Sequence, residues 1–205
     1  MTTLRGRRAL ITGSFQGIGL GIARARAQEG VSIILHGLAD EATIKSAEKE
    51  IIAAGASSVE SYVTDLRDVN STLDLSRDIL KQGPLDILCN NAGIQFTAPT
   101  SDMSREKWND ITAINLSSFF DTMQAFLPQM KERGYGRVIN IASVHGLVAS
   151  VAKAPYVAAK HGVIGLTRVA ALEYANSGTR ESGGVTVNAI CPGWVETALI
   201  EPQIQ

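Results

Sequence analysis

Short apolar, β-branched runs punctuate the chain at Ala9–Thr12, Val31–Leu35, Val59–Val63, Leu85–Cys89, Arg137–Ala142 and Val185–Ile190. Between them lie longer segments with helical spacing. Ala39–Ala54 opens at a candidate N-cap, Asp40, places Ile44, Ala47 and Ile51 on one face, and stops at Gly55. Val69–Gln82 repeats the scheme through Val69, Leu73 and Ile79/Leu80, and ends at Gly83-Pro84. Ser104 is placed to cap a long helix carrying Trp108, Ile111, Phe119, Met123 and Leu127. Asn176–Gly184 (NSGTRESGG) reads as a surface loop. Strand and helix in alternation predict an α/β fold, a doubly wound parallel sheet covered by helices on both faces. No repeat or linker divides it, so residues 1–205 read as a single domain.

Composition narrows the class. The 205 residues are 45% hydrophobic and 19% charged, enough apolar material for a core and too ordered a mixture for disordered or collagen-like chains. Nineteen Lys+Arg oppose 20 Asp+Glu, so nothing in the charge suits a polyanion, and nucleic acid is not an expected partner. The basic cluster Arg5, Arg7 and Arg8 reads as a solvated lead-in to the first strand. The apolar stretch Val138–Ala152 spans 15 residues and contains Asn140 and His145, too short and too polar to cross a membrane. No signal-peptide pattern precedes the first strand. Cys89 and Cys191 close apolar runs and read as buried free thiols in a reducing compartment, which points to the cytoplasm; no metal site is expected.

The first strand runs into Thr12-Gly13-Ser14-Phe15-Gln16-Gly17-Ile18-Gly19, and a helix follows. In a first βα turn, Gly13 permits the sharp turn, Gly17 lets the backbone approach a pyrophosphate, and Gly19 lets the helix pack closely. The helix N-terminus then offers N–H groups to phosphates. The spacing is G-x3-G-x-G rather than G-x-G-x-x-G, so by itself it fits a mere tight turn as well; its place after the first strand and before a helix favours a Rossmann-type dinucleotide site. No Arg or Lys lies in Ser14–Gln16 or His36–Asp40, which favours NAD over NADP. Asp40 falls a few residues late for an acid that binds a ribose diol and is given no such role.

Tyr156 and Lys160 are four residues apart on one helix face, and Ser143 closes a strand 13 residues earlier. A Tyr hydroxyl beside a Lys ammonium and a nicotinamide cation is a candidate acid/base, its pKa lowered toward working pH. Together TGSFQGIG, Asn90-Asn91-Ala92-Gly93, Asn115, Ser143, YVAAK and Pro192-Gly193 resemble the short-chain dehydrogenase/reductase family from Leu4 onward. That resemblance implies that Tyr156 is the general acid/base and that Ser143 orients the substrate oxygen. Lys160 would lower the Tyr156 pKa and bind the nicotinamide ribose, and Asn115 would distort its helix and hold a water in a proton relay. Asp65 would meet the adenine, Asn91 would support the central strands beside Ala92 and Gly93, and Val195 and Thr197 would touch carboxamide and phosphates. Gly13, Phe15, Gly17, Ile18, Gly19, Pro192 and Gly193 complete the implied NAD site.

Within the family, NAGIQ, IASVHGLVAS, YVAAKHG and CPGW resemble the 3-hydroxybutyrate dehydrogenases. The resemblance implies that a small carboxylate is held by Gln95, His145, Lys153 and Gln203, with Trp194 capping the pocket. Charge-assisted bonds from Lys and neutral donors suit such a ligand. It also implies a longer chain, with a further strand and the rest of a substrate lid after Gln205. The last strand, Val185–Ile190, would then be an edge whose apolar run suits cover on both sides. A family-typical homotetramer would be weakened. The expected activity is hydride transfer between NAD and C3 of 3-hydroxybutyrate. The alternatives are another enzyme of the family, such as a 3-oxoacyl reductase, and a cofactor-binding chain with little turnover.

Overall fold

The computed structural model describes residues 4–197. Six strands, β1 Arg8–Ile11, β2 Ser32–Gly37, β3 Val59–Val63, β4 Ile87–Asn90, β5 Tyr135–Ile141 and β6 Gly184–Ile190, form one parallel sheet. Their order is β3-β2-β1-β4-β5-β6. The helices are α1 Gly17–Ala27, α2 Glu41–Ala53, α3 Val69–Lys81, α4 Arg105–Thr112, α5 Ser118–Arg133 and α6 Ala154–Glu173. Chain direction across the sheet reverses between β1 and β4, the place where doubly wound folds bind ligands.

The strands bury both faces, which is why they read as apolar runs. Ile11, Ile33, Leu35 and Ile87 pack with Ala23 and Ala27 of α1 and Ala47 and Ile51 of α2. On the other face Leu10, Ile34, Leu88 and Val138 meet Leu75 and Ile79 of α3 and Met123, Phe126 and Leu127 of α5. Local chemistry fixes the helix starts. Asp40 accepts from Thr43 N at 2.8 Å, Asp68 from Asn70 N at 3.0 Å, and Ser104 from Lys107 N at 3.2 Å.

Three expectations are corrected, and one is met. The long helix after Ser104 is divided by a π-helical turn, Ala113–Ser117, between α4 and α5, the distortion implied for Asn115. Such a turn marks a backbone pulled out of α-helical register to place a side chain, here Asn115. Strand β6 is covered on one face only: Val185 and Val187 are buried, whereas Thr186, Asn188 and Ile190 are exposed. It is the last strand of the described sheet, and its alternation matches a one-sided position. The basic lead-in is structural as well as solvated. Arg8 donates to the carbonyls of Ile79 and Gly83 and pairs with Glu60, while Arg7 pairs with Asp86 and covers the Tyr135 ring. Of the two free thiols, Cys89 is buried and pushed up to about 12 by burial, but Cys191 is only half-buried.

Between β4 and β5 the apolar core holds a polar rung. Asn90 and Asn140 are register partners, and the Asn90 amide donates to Asn140 Oδ1 at 3.0 Å. Thr122 of α5 donates to Asn90 Oδ1 at 2.8 Å, and Asn140 donates to Thr167 of α6 at 2.9 Å. Asn140→Leu leaves the buried Asn90 amide without its acceptor, a loss of roughly 1–3 kcal/mol. Urea titration should show a lower midpoint at unchanged slope; an unchanged midpoint contradicts this role.

Candidate active site

The carboxyl ends of the strands open onto a cleft of about 640 Å3. Its floor is the first βα turn. Gly13 has φ +64°, and a Cβ there would lie 2.9 Å from Ala92 Cα, so the turn can take no side chain. A Cβ on Gly19 would drive into the Gly13 carbonyl and the Asn91 amide, so α1 seats on the turn itself. At the α1 N-cap, Gln16 makes no side-chain cap, and no acid lies in the first turn. Gly17 and Ile18 therefore bring uncapped N–H donors to the cleft wall, a fit for the pyrophosphate of a dinucleotide. Thr197 stands over the same turn, 3.6 Å from where a Gly17 Cβ would be. Ser14 is committed elsewhere: its N donates to His36 O and its Oγ accepts from His36 N, which ties the turn to β2.

Asn91 braces the turn from β4. Its amide donates to Thr12 O at 2.9 Å and Gly13 O at 3.0 Å, while Thr12 Oγ1 accepts from the N–H groups of Asn91 and Ala92. Phe15 packs inward against Gly37 with its edge on the cleft. Asp65 lines the cleft after β3, and its carboxylate is gripped by Arg67 at 3.0–3.1 Å through Nε, which holds its pKa below the usual carboxylate range. Gly93, Pro192, Gly193 and Val195 form the opposite wall.

Ser143, Tyr156 and Lys160 meet in the same cleft. Ser143 leaves the end of β5, and its Oγ accepts from His145 N at 3.1 Å, which leaves its hydroxyl proton to face Tyr156. Tyr156 and Lys160 lie one turn apart on α6. Lys160 is buried, with Nζ donating to Ile141 O at 2.8 Å and 5.7 Å from the Tyr156 ring centre. Burial pushes Lys160 down to about 7. The expected lowering of the Tyr156 pKa is not met in the chain alone: burial raises it, and a hydrogen bond with Ser143 only partly opposes that. The Lys charge is itself desolvated, so the protein by itself does not supply the stabilising field. Asn115 is fully buried in the π-helical turn, accepting from Ile94 N and donating to Ile94 O, both at 2.9 Å. It pins the backbone beside Gln95.

A smaller lobe of about 50 Å3 branches off Ser143 and Tyr156, lined by Gln95, His145, Lys153, Gly193 and Trp194. Lys153 is 7% exposed, makes no ion pair among the described residues, and faces the Trp194 ring with Nζ 4.9 Å from its centre. Burial lowers its pKa, and burial followed by the Lys153 charge lowers that of His145. The Trp194 ring is 64% exposed at the rim. Gln203 lies outside the described residues. The sequence reading gave Asp40 no part in the site and overlooked Leu38 and Thr43 after β2 and Leu66 after β3, all of which line the cleft. Their place at strand carboxyl ends was the available signal.

The family model for short chain dehydrogenases matches residues 7–205. The chain belongs to the short-chain dehydrogenase family. It is an oxidoreductase of the kind that binds a nicotinamide cofactor, in a family whose members are generally oligomeric. D-beta-hydroxybutyrate dehydrogenase of Cupriavidus necator is 48% identical over 98% of this chain and 76% of that protein. The enzyme of the same name from Rhizobium meliloti is 46% identical over 96% of this chain and 74% of its own. Among solved structures, a 3-oxoacyl (acyl-carrier-protein) reductase from Agrobacterium tumefaciens with NADP bound superposes with a TM-score of 0.89 at 32% identity, covering 98% of this chain and 74% of that one. No helix among the described residues is long and apolar enough to cross a membrane.

Between pH 7 and pH 10, the unfolded chain keeps a proton on Lys160 that the folded chain, with its pKa near 7, has released. Stability of the cofactor-free protein should therefore gain up to about 1.4 kcal/mol per pH unit from this group as pH rises above 7. Lys160→Met should remove that part of the slope in denaturation series between pH 7 and 9. Parallel slopes for both proteins would show that Lys160 stays charged in the fold.

Proposed function

We propose that this short-chain dehydrogenase moves hydride between NAD and C3 of 3-hydroxybutyrate or acetoacetate in the cytoplasm. One observation carries the substrate class: a buried Lys153, without an ion pair among the described residues, lines a small lobe with Gln95 and His145 beside Ser143 and Tyr156, a fit for a short acid. A buried ammonium without a counter-ion is costly, and a substrate carboxylate relieves that cost. The names of the Cupriavidus and Rhizobium relatives support the same class.

The residues present fit the cofactor. Gly17 and Ile18 would hold the pyrophosphate; Asp65 would meet the adenine; Asn91, Ala92 and Gly93 would form the floor; Val195 and Thr197 would close on the carboxamide and phosphates. When bound, the nicotinamide supplies the hydride acceptor and a positive charge near Tyr156. Ser143 hydrogen-bonds the substrate oxygen and holds it against Tyr156, keeping its own proton throughout. Tyr156 takes the hydroxyl proton in oxidation and returns it in reduction. Lys160 binds the ribose and favours the Tyr156 phenolate once its own charge is restored, with Asn115 holding a water that carries the proton onward. Lys153, Gln95, His145 and Gln203 orient the carboxylate, and Trp194 covers it.

A second reading, a 3-oxoacyl reductase working with NADPH, draws on the NADP bound in a structural neighbour. Activity assays with NAD and 3-hydroxybutyrate against NADPH and a 3-oxoacyl thioester decide between them.

Tyr156→Phe should abolish turnover while keeping much of the NAD affinity; activity within a few-fold of the parent excludes Tyr156 as the acid/base. Lys153→Ala removes a charged hydrogen bond worth about 1.5–3 kcal/mol, so kcat/KM should fall about 10–150-fold with little change in NAD binding. The methyl ester of 3-hydroxybutyrate, which lacks the charge, should be oxidised poorly by the parent. Equal rates for acid and ester rule out the anchor.

A further inference from the structure

We propose that Ala152 is a positioning residue for the carboxylate anchor: held in a left-handed turn by a bond from the loop after β4, it aims Lys153 into the side lobe. The inference rests on the reading of Lys153 as that anchor and says what keeps it in place. Ala152 alone among the described non-glycine residues has a positive φ, at +57°. A Cβ crowds the following carbonyl in that region, so the conformation persists only where the surrounding structure imposes it. Here the chain passes from Val151, 89% exposed, to buried Lys153 in two residues and enters α6 at once.

Two bonds fix the backbone on either side of the lysine. Ala98 N donates to Ala152 O at 2.9 Å, and Val157 N donates to Lys153 O at 2.9 Å as the first rung of α6. Both peptide groups flanking the Lys153 Cα are therefore pinned, and its side chain is sent toward Trp194 and the lobe. Relaxing Ala152 to an ordinary region rotates its carbonyl away from Ala98 and releases the first pin. Ala98 lies three positions after Gln95 in the same loop, so this bond also ties the segment bearing Gln95 to the one bearing Lys153. Two pressures oppose the arrangement, the strain at Ala152 and the removal of an ammonium from water, and letting Lys153 out relieves both.

The test reads Lys153 directly, by acetylating the protein with an N-hydroxysuccinimide ester and following Lys153 and Lys160 by mass spectrometry. Buried Lys160 reports whether the fold is intact. Ala152→Gly takes the left-handed turn without crowding and should slow Lys153 labelling about fivefold. Ala152→Val is β-branched and excluded from that region, so labelling should rise about tenfold with Lys160 still protected. A merely structural role predicts the opposite for glycine, which loosens a loop. If the valine variant also labels at Lys160, Ala98→Pro, which deletes the donor to Ala152 O, takes its place with the same expectation. In turnover of 3-hydroxybutyrate, Ala152→Val should raise KM about tenfold at unchanged Kd for NAD, and add nothing in a Lys153→Ala background. Labelling that rises with glycine or is unmoved by both changes, or an equal cost in both backgrounds, overturns the role of Ala152 and leaves the anchor standing. The expected labelling together with turnover indifferent to Lys153→Ala upholds the aiming of Lys153 by Ala152 and overturns the anchor.

Discussion

Everything functional hangs on the brace between β1 and β4. The Asn91 amide spans the carbonyls of Thr12 and Gly13, and the Thr12 hydroxyl takes the N–H groups of Asn91 and Ala92 in return. At that point the winding of the sheet changes direction, and the β1–β4 ladder ends with Thr12 N donating to Cys89 O. Beyond it, four side-chain bonds satisfy the backbone of the glycine turn and of the Asn91–Ala92 segment facing it.

Within that cleft the dominant force is desolvation. Two lysines are almost wholly removed from water, Lys160 behind the candidate acid/base and Lys153 in the side lobe, and neither has a carboxylate partner among the described residues. A buried Lys153 ammonium makes the empty lobe electrostatically unfavourable and an anion-filled lobe favourable, while Lys160, pushed down to about 7, gives up its charge in the empty site. The same burial raises the Tyr156 pKa and leaves the group a poor base until a ligand brings charge to it. Binding and activation are thus coupled through a single dielectric environment.

The layer order, the strands and the helix caps were legible because each rests on short-range pattern: apolar runs, and Asp40 and Ser104 set just before helical spacing. Tyr156, Lys160 and Ser143 were legible through their company in a resembling family. What local pattern could not carry was long-range. The π-helical turn depends on Asn115 reaching Ile94 across 21 positions, so the helix distortion was legible only through the family resemblance. Arg7 and Arg8 looked like solvated charge because Asp86, Glu60 and the Tyr135 ring come to them only on folding. Strand β6 read as an edge suited to cover on both faces because residue type reveals apolarity but not how many neighbours arrive.

The polar rung of Asn90 and Asn140 also settles a question of alignment. Strands apolar on both faces have little to gain or lose from sliding past one another, since one greasy position replaces another. A matched pair of amides cannot slide without stranding both. The rung thus acts as an index mark between β4 and β5, and what it indexes is downstream: Gln95 follows one strand and Ser143 the other. A slip of one position would carry the serine to the far side of the sheet. Two residues that touch no ligand therefore determine where the reacting oxygen is met.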